Sequence, residues 1–293
     1  MTRSLVDIPA DEAALEHCRA ITRREARNFY YGLRLLPEPQ RSALFCVYAW
    51  MREVDDIADT DRAGRDPAAE LDHFRVRTRQ AFAGEGDPTP MWRAFTGTVR
   101  RFSLDPAPFD DMISGQQDDL VFRQPETMDD LVAYCRKVAS SVGRICVSIW
   151  GYDQNAALDL ADQRGIAFQM TNILRDIRED HANGRTYLPS AVLREHQLDI
   201  ASLLEWRSPP DCRRLVEKLL AVAEDHYLSS SPLESLISAP CRPTLRAMTG
   251  IYHGLLQRMS RDPRVVVGPG RVRLGRLQKI SIALRAKLPV RTS

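Results

Sequence analysis

The chain has 293 residues and a mass of 33.2 kDa, with 41 Lys+Arg, 39 Asp+Glu and a formal net charge of +2. Its hydrophobic content of 44% supplies a sizeable core and excludes disorder over most of the length. The near balance of charge argues against a nucleic-acid-binding protein, which usually carries a strong basic excess. Length alone fits either two average domains or one large helical domain.

Several common functional motifs are absent from the sequence. The six cysteines form no C-x-x-C pair, the histidines form no metal-binding spacing, and neither G-x-G-x-x-G nor a Walker loop occurs. We therefore expect no disulfide framework, no zinc site and no nucleotide-binding sheet. The protein is expected to reside in a reducing cytosol. The first residues lack an apolar signal core, and no uncharged run approaches the ~18–20 residues of a membrane helix. A cytoplasmic protein without a membrane anchor is expected.

Helical periodicity covers most of the chain, and the β-branched cluster Val265–Val267 is the main strand-like signal. Pro37 and Pro39 precede a predicted helix from Gln40 to Asp59. Residues 84–90 and 105–108 are predicted loops. Further helices are predicted from Asp129 to Trp150, from Asn155 to His181 and from Leu274 to Leu288, with glycines as stop signals after the first two. The pattern predicts a single all-α domain of about eight to twelve helices.

Two segments place polar side chains where a globular helix normally has an apolar face, and both use the same spacing. At 3.6 residues per turn, each set forms one narrow stripe along its helix. The first stripe consists of Tyr48, Arg52, Asp55 and Asp59. The second consists of Gly165, Gln169, Asn172 and Asp176, and Asp180 extends it.

This spacing has a chemical consequence. Carboxylates at i and i+4 point the same way and repel by about a few tenths of a kcal/mol when exposed, and by more when partly buried. Mg²⁺ relieves the repulsion, because it binds one or two carboxylates and fills its octahedron with water and phosphate oxygens. Two facing helices of this kind could clamp a diphosphate, with Asn172 adding a neutral oxygen. The alternative is a solvated helix face. A surface carboxylate paired with lysine or arginine remains an open interpretation mainly for Asp56, Asp61 and Glu179.

Five segments resemble, in the same order, the squalene/phytoene synthase family. They are Asn28–Tyr31 (NFYY), Tyr48–Asp59 (YAWMREVDDIAD), Tyr134-Cys135 with Val138–Gly143 (VASSVG), Gln169–Asp180 (QMTNILRDIRED) and Gly184–Pro189 (GRTYLP). The ordered set carries the resemblance over about residues 15–280, because a lone D-x-x-x-D is a weak signal. The resemblance implies one isoprenoid-synthase-type helical domain, residues 1–293, around a central cavity. It also implies Mg²⁺-dependent head-to-head (1′-1) joining of two prenyl diphosphates.

The resemblance also assigns roles to residues. It implies that Mg²⁺ is bound by Asp55, Asp59, Asn172, Asp176 and Asp180. It places Tyr48, Arg52 and Gln169 beside the substrate diphosphate or prenyl chain, as part of the catalytic set. Its other motifs contribute the candidate substrate-binding residues Tyr134, Val138, Gly143, Arg185 and Tyr187.

The chemistry of an allylic diphosphate adds further candidates. Its ionisation needs cations around the leaving group, and the resulting carbocation needs a dry cavity and aromatic faces. Candidate cations are Arg27, Arg52, Arg185, Arg271 and Arg273. Candidate aromatic faces are Phe29, Tyr30, Tyr48, Tyr134 and Tyr252, although ordinary core packing explains each of these aromatic residues as well.

One position departs from the family pattern. Family members commonly carry tyrosine or histidine directly after the Y-C pair, whereas this chain has Arg136 and Lys137. A role assigned to a tyrosine there cannot be carried over. Arg136 either contacts diphosphate or belongs to a solvated charged pair.

Three substrate interpretations compete within the family. The segments NFYY and REVDDIAD look most like bacterial presqualene diphosphate synthases, which implies two farnesyl diphosphates as substrates and downstream enzymes as pathway partners. A complete squalene synthase would in addition use NADPH. A phytoene synthase would join two geranylgeranyl diphosphates. The depth of the cavity decides chain length, and the sequence does not reveal it.

Proteins of other classes are weaker alternatives. A non-catalytic relative would be expected to lose its metal ligands, whereas both sets are present here. A head-to-tail prenyltransferase or terpene cyclase does not explain NILRDIRED and RTYLP. Because Arg271, Arg273, Arg276 and Lys279 lie near the C-terminus and the product is lipid-soluble, we also expect a reversible peripheral contact with the inner face of the membrane.

Overall fold

The computed structural model describes residues 11–26, 28–59 and 65–288, and for Asn28, Phe29, Tyr31 and Asp59 it describes the backbone alone. Its helices are α1 (Glu12–Glu25), α2 (Asn28–Leu33), α3 (Gln40–Asp59), α4 (Pro67–Ala83), α5 (Pro90–Arg101), α6 (Ala107–Leu120), α7 (Met128–Cys135), α8 (Ser141–Trp150), α9 (Ala156–Ala182), α10 (Ser190–Glu195), α11 (Ile200–Glu205), α12 (Pro209–Ser229), α13 (Leu233–Leu236), α14 (Arg242–Arg261) and α15 (Arg276–Ala286). A π-helical turn (Arg136–Ser140) joins α7 to α8. Two 3-10 turns (Ala239–Cys241 and Pro263–Val267) flank α14.

The all-α prediction is confirmed: the described residues are 76% helical and contain no strand. The predicted helix from Gln40 to Asp59 is observed with those bounds as α3. The number of helices was underestimated, because α2, α10, α11 and α13 have only four to six residues, too few to show a periodicity.

Two local expectations need correction. The strand-like cluster Val265–Val267 forms a 3-10 turn, in which Pro263 fixes the first backbone dihedral. The helix predicted from Asp129 to Trp150 is divided by the π-helical turn. Its predicted end is confirmed, because Gly151 follows Trp150 with a φ of +82°, a conformation that favours glycine.

Two buried clusters form the core of the described structure. One surrounds α3, where Trp50 stacks on Phe95 at 5.6 Å and meets Phe109 edge-on at 5.0 Å. The other joins α9, α12 and α14. Partly buried residues of both clusters, Tyr48 of the first and Tyr252 of the second, line a common cavity, so the space lies between the two.

The chain turns back on itself between α8 and α9, and two glycines allow the helices to touch. A Cβ on Gly143 would lie 2.9 Å from the carbonyl oxygen of Ala161, and one on Gly165 would lie 2.6 Å from the Cα of Ser140. Arg144 also pairs with Asp162 at 2.6 Å. Because later residues of α8 pair with earlier residues of α9, the two helices are antiparallel.

Within the described part of the chain, no helix is both long and apolar enough to cross a membrane.

Candidate active site

The space between the two core clusters is a cavity of about 370 Å³, within the usual range of small-molecule sites. Side chains of α2, α3, the π-helical turn, α8, α9, α13 and α14 line it. The structure places six of the predicted site residues on its wall: Tyr48, Val138, Gly143, Gln169, Asn172 and Tyr252. Most of the remaining lining is aliphatic or aromatic, as a prenyl chain requires.

Polarity changes along both predicted stripes in the direction of the chain. On α3 the lining passes from Leu44 to Tyr48, and Asp55 lies two turns further on. On α9 the lining passes from Ala161 to Asn172, and Asp176 follows one turn later. Each helix therefore carries its carboxylates just beyond the lining of the cavity.

The last turns of α6 connect the two acidic helix ends. Gln116 donates from Nε2 to the carboxylate of Asp55 at 2.9 Å. Asp119, three residues later and on the same face of α6, interacts with Arg185. The positive charge of Arg185 also acts on Asp180 of α9, where it opposes part of the rise in pKa that burial causes. This series of contacts places the carboxylates of α3 and α9 at the same end of the molecule, as the stripes predicted.

Tyr48 and Arg52 lie between the cavity and Asp55. Burial raises the pKa of the Tyr48 hydroxyl, so the phenol stays protonated at neutral pH. Arg52 is an ion-pair partner of Asp56. Asp56 thus has the arginine partner that its alternative interpretation required, and the guanidinium of Arg52 remains next to the carboxylate end of the cavity.

Asn172 provides the test of whether the site suits a cation. Its Nδ2 donates weakly to Oε1 of Gln169 at 3.5 Å. Its Oδ1 is buried and has no hydrogen-bond partner among the described residues. A buried unpaired oxygen is costly, and amide and carboxylate oxygens are the ligands that Mg²⁺ prefers. The donor set of Asp55, Asn172, Asp176 and Asp180 therefore fits Mg²⁺.

Asp176 is held by two arginines. Arg175 binds its carboxylate through Nε at 2.8 Å and Nη2 at 2.5 Å. Arg271, from the segment between α14 and α15, binds the same oxygens at 2.7 and 2.6 Å. Burial acts to raise the pKa of Asp176, but the two guanidiniums lower it overall, so the group is ionised. The predicted cation Arg271 thus reaches the carboxylate end of the cavity.

Asp180 lies one turn beyond Asp176. Burial, together with the neighbouring carboxylates of Asp176 and Glu179, raises its pKa to about 7. Such crowding of carboxylates is what a bound cation would relieve. Across residues 11–26, 28–59 and 65–288, with the side chain of Asp59 set aside, no three acidic, histidine or cysteine side chains cluster as a metal-binding group.

Tyr134 and Tyr187 form a cluster with Asp119 rather than lining the cavity. Their hydroxyls both donate to the Asp119 carboxylate at 3.1 Å, and their rings stack at 4.9 Å. Burial raises the pKa of Asp119 despite these contacts and the nearby Arg185. The π-helical turn begins two residues after Tyr134, and such turns are frequent at functional sites.

The structure separates some candidates from the cavity. Tyr30 is buried in the core and stacks on Phe45 at 5.5 Å. Arg136 is exposed and Lys137 pairs with Asp118 at 2.6 Å, as expected for a charged surface pair. Arg27 lies outside the described residues, and so do the side chains of Phe29 and Asp59.

Two lining residues were missed by the sequence reasoning. Phe168 stacks on Tyr252 at 4.5 Å and gives the cavity an aromatic wall. Arg164 is buried and donates to oxygens of Tyr227, Ser230 and Thr249. Phe168 directly precedes Gln169, so its helical position was a usable signal, whereas nothing in the sequence marks Arg164.

Comparisons with known proteins identify the family of this chain. The squalene/phytoene synthase family profile matches residues 22–278. A phytoene synthase of Mycobacterium tuberculosis is 36% identical over 281 residues, which are 94% of this chain and 91% of the relative. A presqualene diphosphate synthase of Rhodopseudomonas palustris is 36% identical over 271 residues, 88% and 92% of the two chains.

Solved structures similar to this chain include a squalene synthase and a dehydrosqualene synthase. A dehydrosqualene synthase in complex with a ligand is similar with a TM-score of 0.85 and 29% identity, over 94% of this chain and 96% of that one. A squalene synthase from Alicyclobacillus acidocaldarius has a TM-score of 0.81 and 30% identity, over 87% and 96%.

The fold and the site define a helical enzyme that acts on prenyl diphosphates. The chain belongs to the squalene/phytoene synthase family, prenyltransferases that join prenyl diphosphates head to head. The resemblance seen in the five sequence segments is thereby confirmed.

Proposed function

We propose that this enzyme joins two farnesyl diphosphates into presqualene diphosphate in a Mg²⁺-dependent reaction. The observation that carries the proposal is a largely apolar cavity whose polar end is formed by Tyr48, Gln169 and Asn172 and continues into the carboxylates of α3 and α9. One diphosphate leaves, two carbon–carbon bonds close a cyclopropane ring, and one proton is lost.

The residues at the carboxylate end would bind and orient the diphosphates. Asp55, Asn172, Asp176 and Asp180 would hold Mg²⁺, together with Asp59 as the family pattern implies. When bound, Mg²⁺ would neutralise the leaving diphosphate and so favour ionisation. Arg52, Arg185 and Arg271 would add positive charge beside phosphate oxygens.

The apolar part of the cavity would hold the prenyl chains and exclude water. The face of Tyr48 and the stacked pair of Phe168 and Tyr252 offer electron-rich surfaces to a carbocation. A protonated phenol is a much weaker nucleophile than a phenolate, and aliphatic neighbours offer no lone pair, so the lining slows premature capture of the cation.

A bulky side chain at the deep end of the cavity supports the shorter, C15 substrate. Since α8 and α9 are antiparallel, Trp150 at the end of α8 lies far from Asn172, and its large side chain lines that deep end. The relative from Rhodopseudomonas palustris is named a presqualene diphosphate synthase. The second candidate is phytoene synthesis from two C20 substrates. The relative from Mycobacterium tuberculosis, which has the same 36% sequence identity to this chain, is named a phytoene synthase.

Product identification tests the proposal. The purified protein is incubated with Mg²⁺ and either farnesyl or geranylgeranyl diphosphate, with and without NADPH, and the products are identified by mass. We expect presqualene diphosphate from the C15 substrate in both cases, no product from Asp176→Asn, and full activity from Glu217→Gln, an exposed residue of α12. Phytoene as the dominant product, or squalene formed only with NADPH, would contradict the proposal.

A further inference from the structure

The last helix, α15, presents a row of apolar side chains to solvent. Leu277 is 82% exposed, Ile280 55%, Leu284 63% and, just after the helix, Leu288 61%. At 3.6 residues per turn, these four side chains lie within about 80° of one another. The other strongly exposed large apolar side chains of the described residues are Val76, Val121 and Leu228, which are widely spaced in the sequence.

The opposite face of α15 already packs on α14. Ile282 lies over Gly250, where an added Cβ would come within 2.7 Å of its Cγ2, and Ala286 is buried. Arg246 of α14 donates to the carbonyl oxygen of Leu288 at 3.0 Å. These contacts fix the orientation of α15, so the apolar row faces outward in the folded protein.

The charge around this row has a single sign. Eight Lys and Arg residues follow Asp262, whereas no Asp or Glu does. Arg276 on the helix and Lys287 directly after it lie beside one edge of the apolar row, and Arg285 lies beside the other. The chain up to Asp262 is net acidic, although the whole protein is formally +2.

We propose that α15 docks the enzyme on the surface of an anionic lipid bilayer. Leu277, Ile280 and Leu284 would enter the boundary between headgroups and acyl chains, with the flanking arginines and lysines on lipid phosphates. An apolar stripe edged by basic residues is the pattern of helices that lie in the membrane interface. The proposal concerns binding alone and does not depend on which prenyl diphosphate is used.

Charge distinguishes a lipid surface from a second copy of this chain. A two-fold symmetric contact would bring each basic edge against another basic edge, which is repulsive. An anionic bilayer complements both edges. The position of α15 next to the cavity also suits a lipid-soluble product. Met248 and Tyr252 of α14, the helix on which α15 packs, line the cavity.

Vesicle flotation tests the proposal directly. The full chain should bind vesicles of phosphatidylglycerol and phosphatidylcholine, and binding should fall at least about tenfold on pure phosphatidylcholine or in 1 M salt. The double variant Leu277→Ser with Leu284→Ser should bind mixed vesicles at least about tenfold more weakly, because its apolar area is lost. Leu228→Ser, which removes an exposed leucine of α12, should bind like wild type.

A charge series completes the test. Arg276→Glu with Lys287→Glu should abolish the preference for anionic vesicles, whereas Arg213→Glu on α12 should keep it. Thermal unfolding checks that every variant is folded. Wild type that stays unbound, or a Leu277→Ser and Leu284→Ser variant that floats unchanged, would overturn the proposal. A concentration-dependent dimer that this leucine variant abolishes, without vesicle binding by wild type, would instead assign the surface to a second copy.

Discussion

Substituting Gly165 tests the helix contact that borders the cavity. Gly165 lies on α9 where it passes the π-helical turn, and a Cβ there would stand 2.6 Å from the Cα and 2.7 Å from the backbone nitrogen of Ser140. Ordinary van der Waals contact begins at 3.4 Å. Because backbone atoms cannot rotate away, Gly165→Ala forces the two segments apart by several tenths of an ångström.

Two opposing effects set the magnitude. Overpacking of this kind costs about 1–3 kcal/mol, and alanine offsets about 0.8–1.0 kcal/mol through its higher helix propensity. We therefore expect the free energy of unfolding to fall by up to about 2 kcal/mol. Gly97 on α5 is the matched control, because its Cβ would meet no atom within 4 Å. Gly97→Ala should raise the free energy of unfolding by about 0.5–1 kcal/mol.

Urea unfolding followed by helical circular dichroism measures both variants. The same displacement should also reduce turnover in Gly165→Ala, because Val138 and Gly143 on the displaced segment line the cavity. Equal stability of Gly165→Ala and Gly97→Ala would refute the close-contact reasoning. A destabilised Gly165→Ala with unchanged turnover would refute its link to the cavity.

Two further predictions concern other parts of the site. Burial raises the folded-state pKa of Asp119 above its usual 3.8, so ionising this carboxyl costs stability. The cost grows as the pH rises from 3.8 through the folded-state pKa, and it is absent in more acidic solution. Asp119→Asn should therefore be as stable as wild type in acid and more stable at neutral pH, and its turnover should be reduced. Thermal unfolding at a series of pH values and initial rates check these expectations. A variant whose stability relative to wild type falls as the pH rises would contradict the first of them. Trp150→Leu should deepen the cavity and raise the use of geranylgeranyl relative to farnesyl diphosphate; an unchanged ratio of products by mass contradicts that role.

The sequence was sufficient for the long helices and for the two stripes. α3 and α9 are long and strongly periodic, and a helix of fixed pitch places Tyr48 with Asp55, or Gln169 with Asp176, on one face without reference to the rest of the fold. The six cysteines, which form no C-x-x-C pair in the sequence, are free and buried in the described structure.

Contacts between distant segments could not be predicted. Gln116 meets Asp55 across 61 positions and Arg271 meets Asp176 across 95, and no local pattern encodes such pairs. The π-helical turn ends where Gly165 approaches Ser140, a contact that exists only after α8 folds back on α9. The aromatic candidate Tyr30 has a suitable side chain for the cavity, but its packing on Phe45 decides its place.

Calorimetric titration of the enzyme with inorganic diphosphate, with and without Mg²⁺, tests most directly whether the carboxylate end of the cavity binds a Mg²⁺–diphosphate group. We expect diphosphate to bind only when Mg²⁺ is present. The affinity should fall at least about tenfold in Asn172→Leu, because this substitution removes the unpaired buried oxygen. Glu217→Gln should bind like wild type. Tight binding of diphosphate without Mg²⁺, or unchanged affinity in Asn172→Leu, would contradict a Mg²⁺–diphosphate site at the carboxylate end of the cavity.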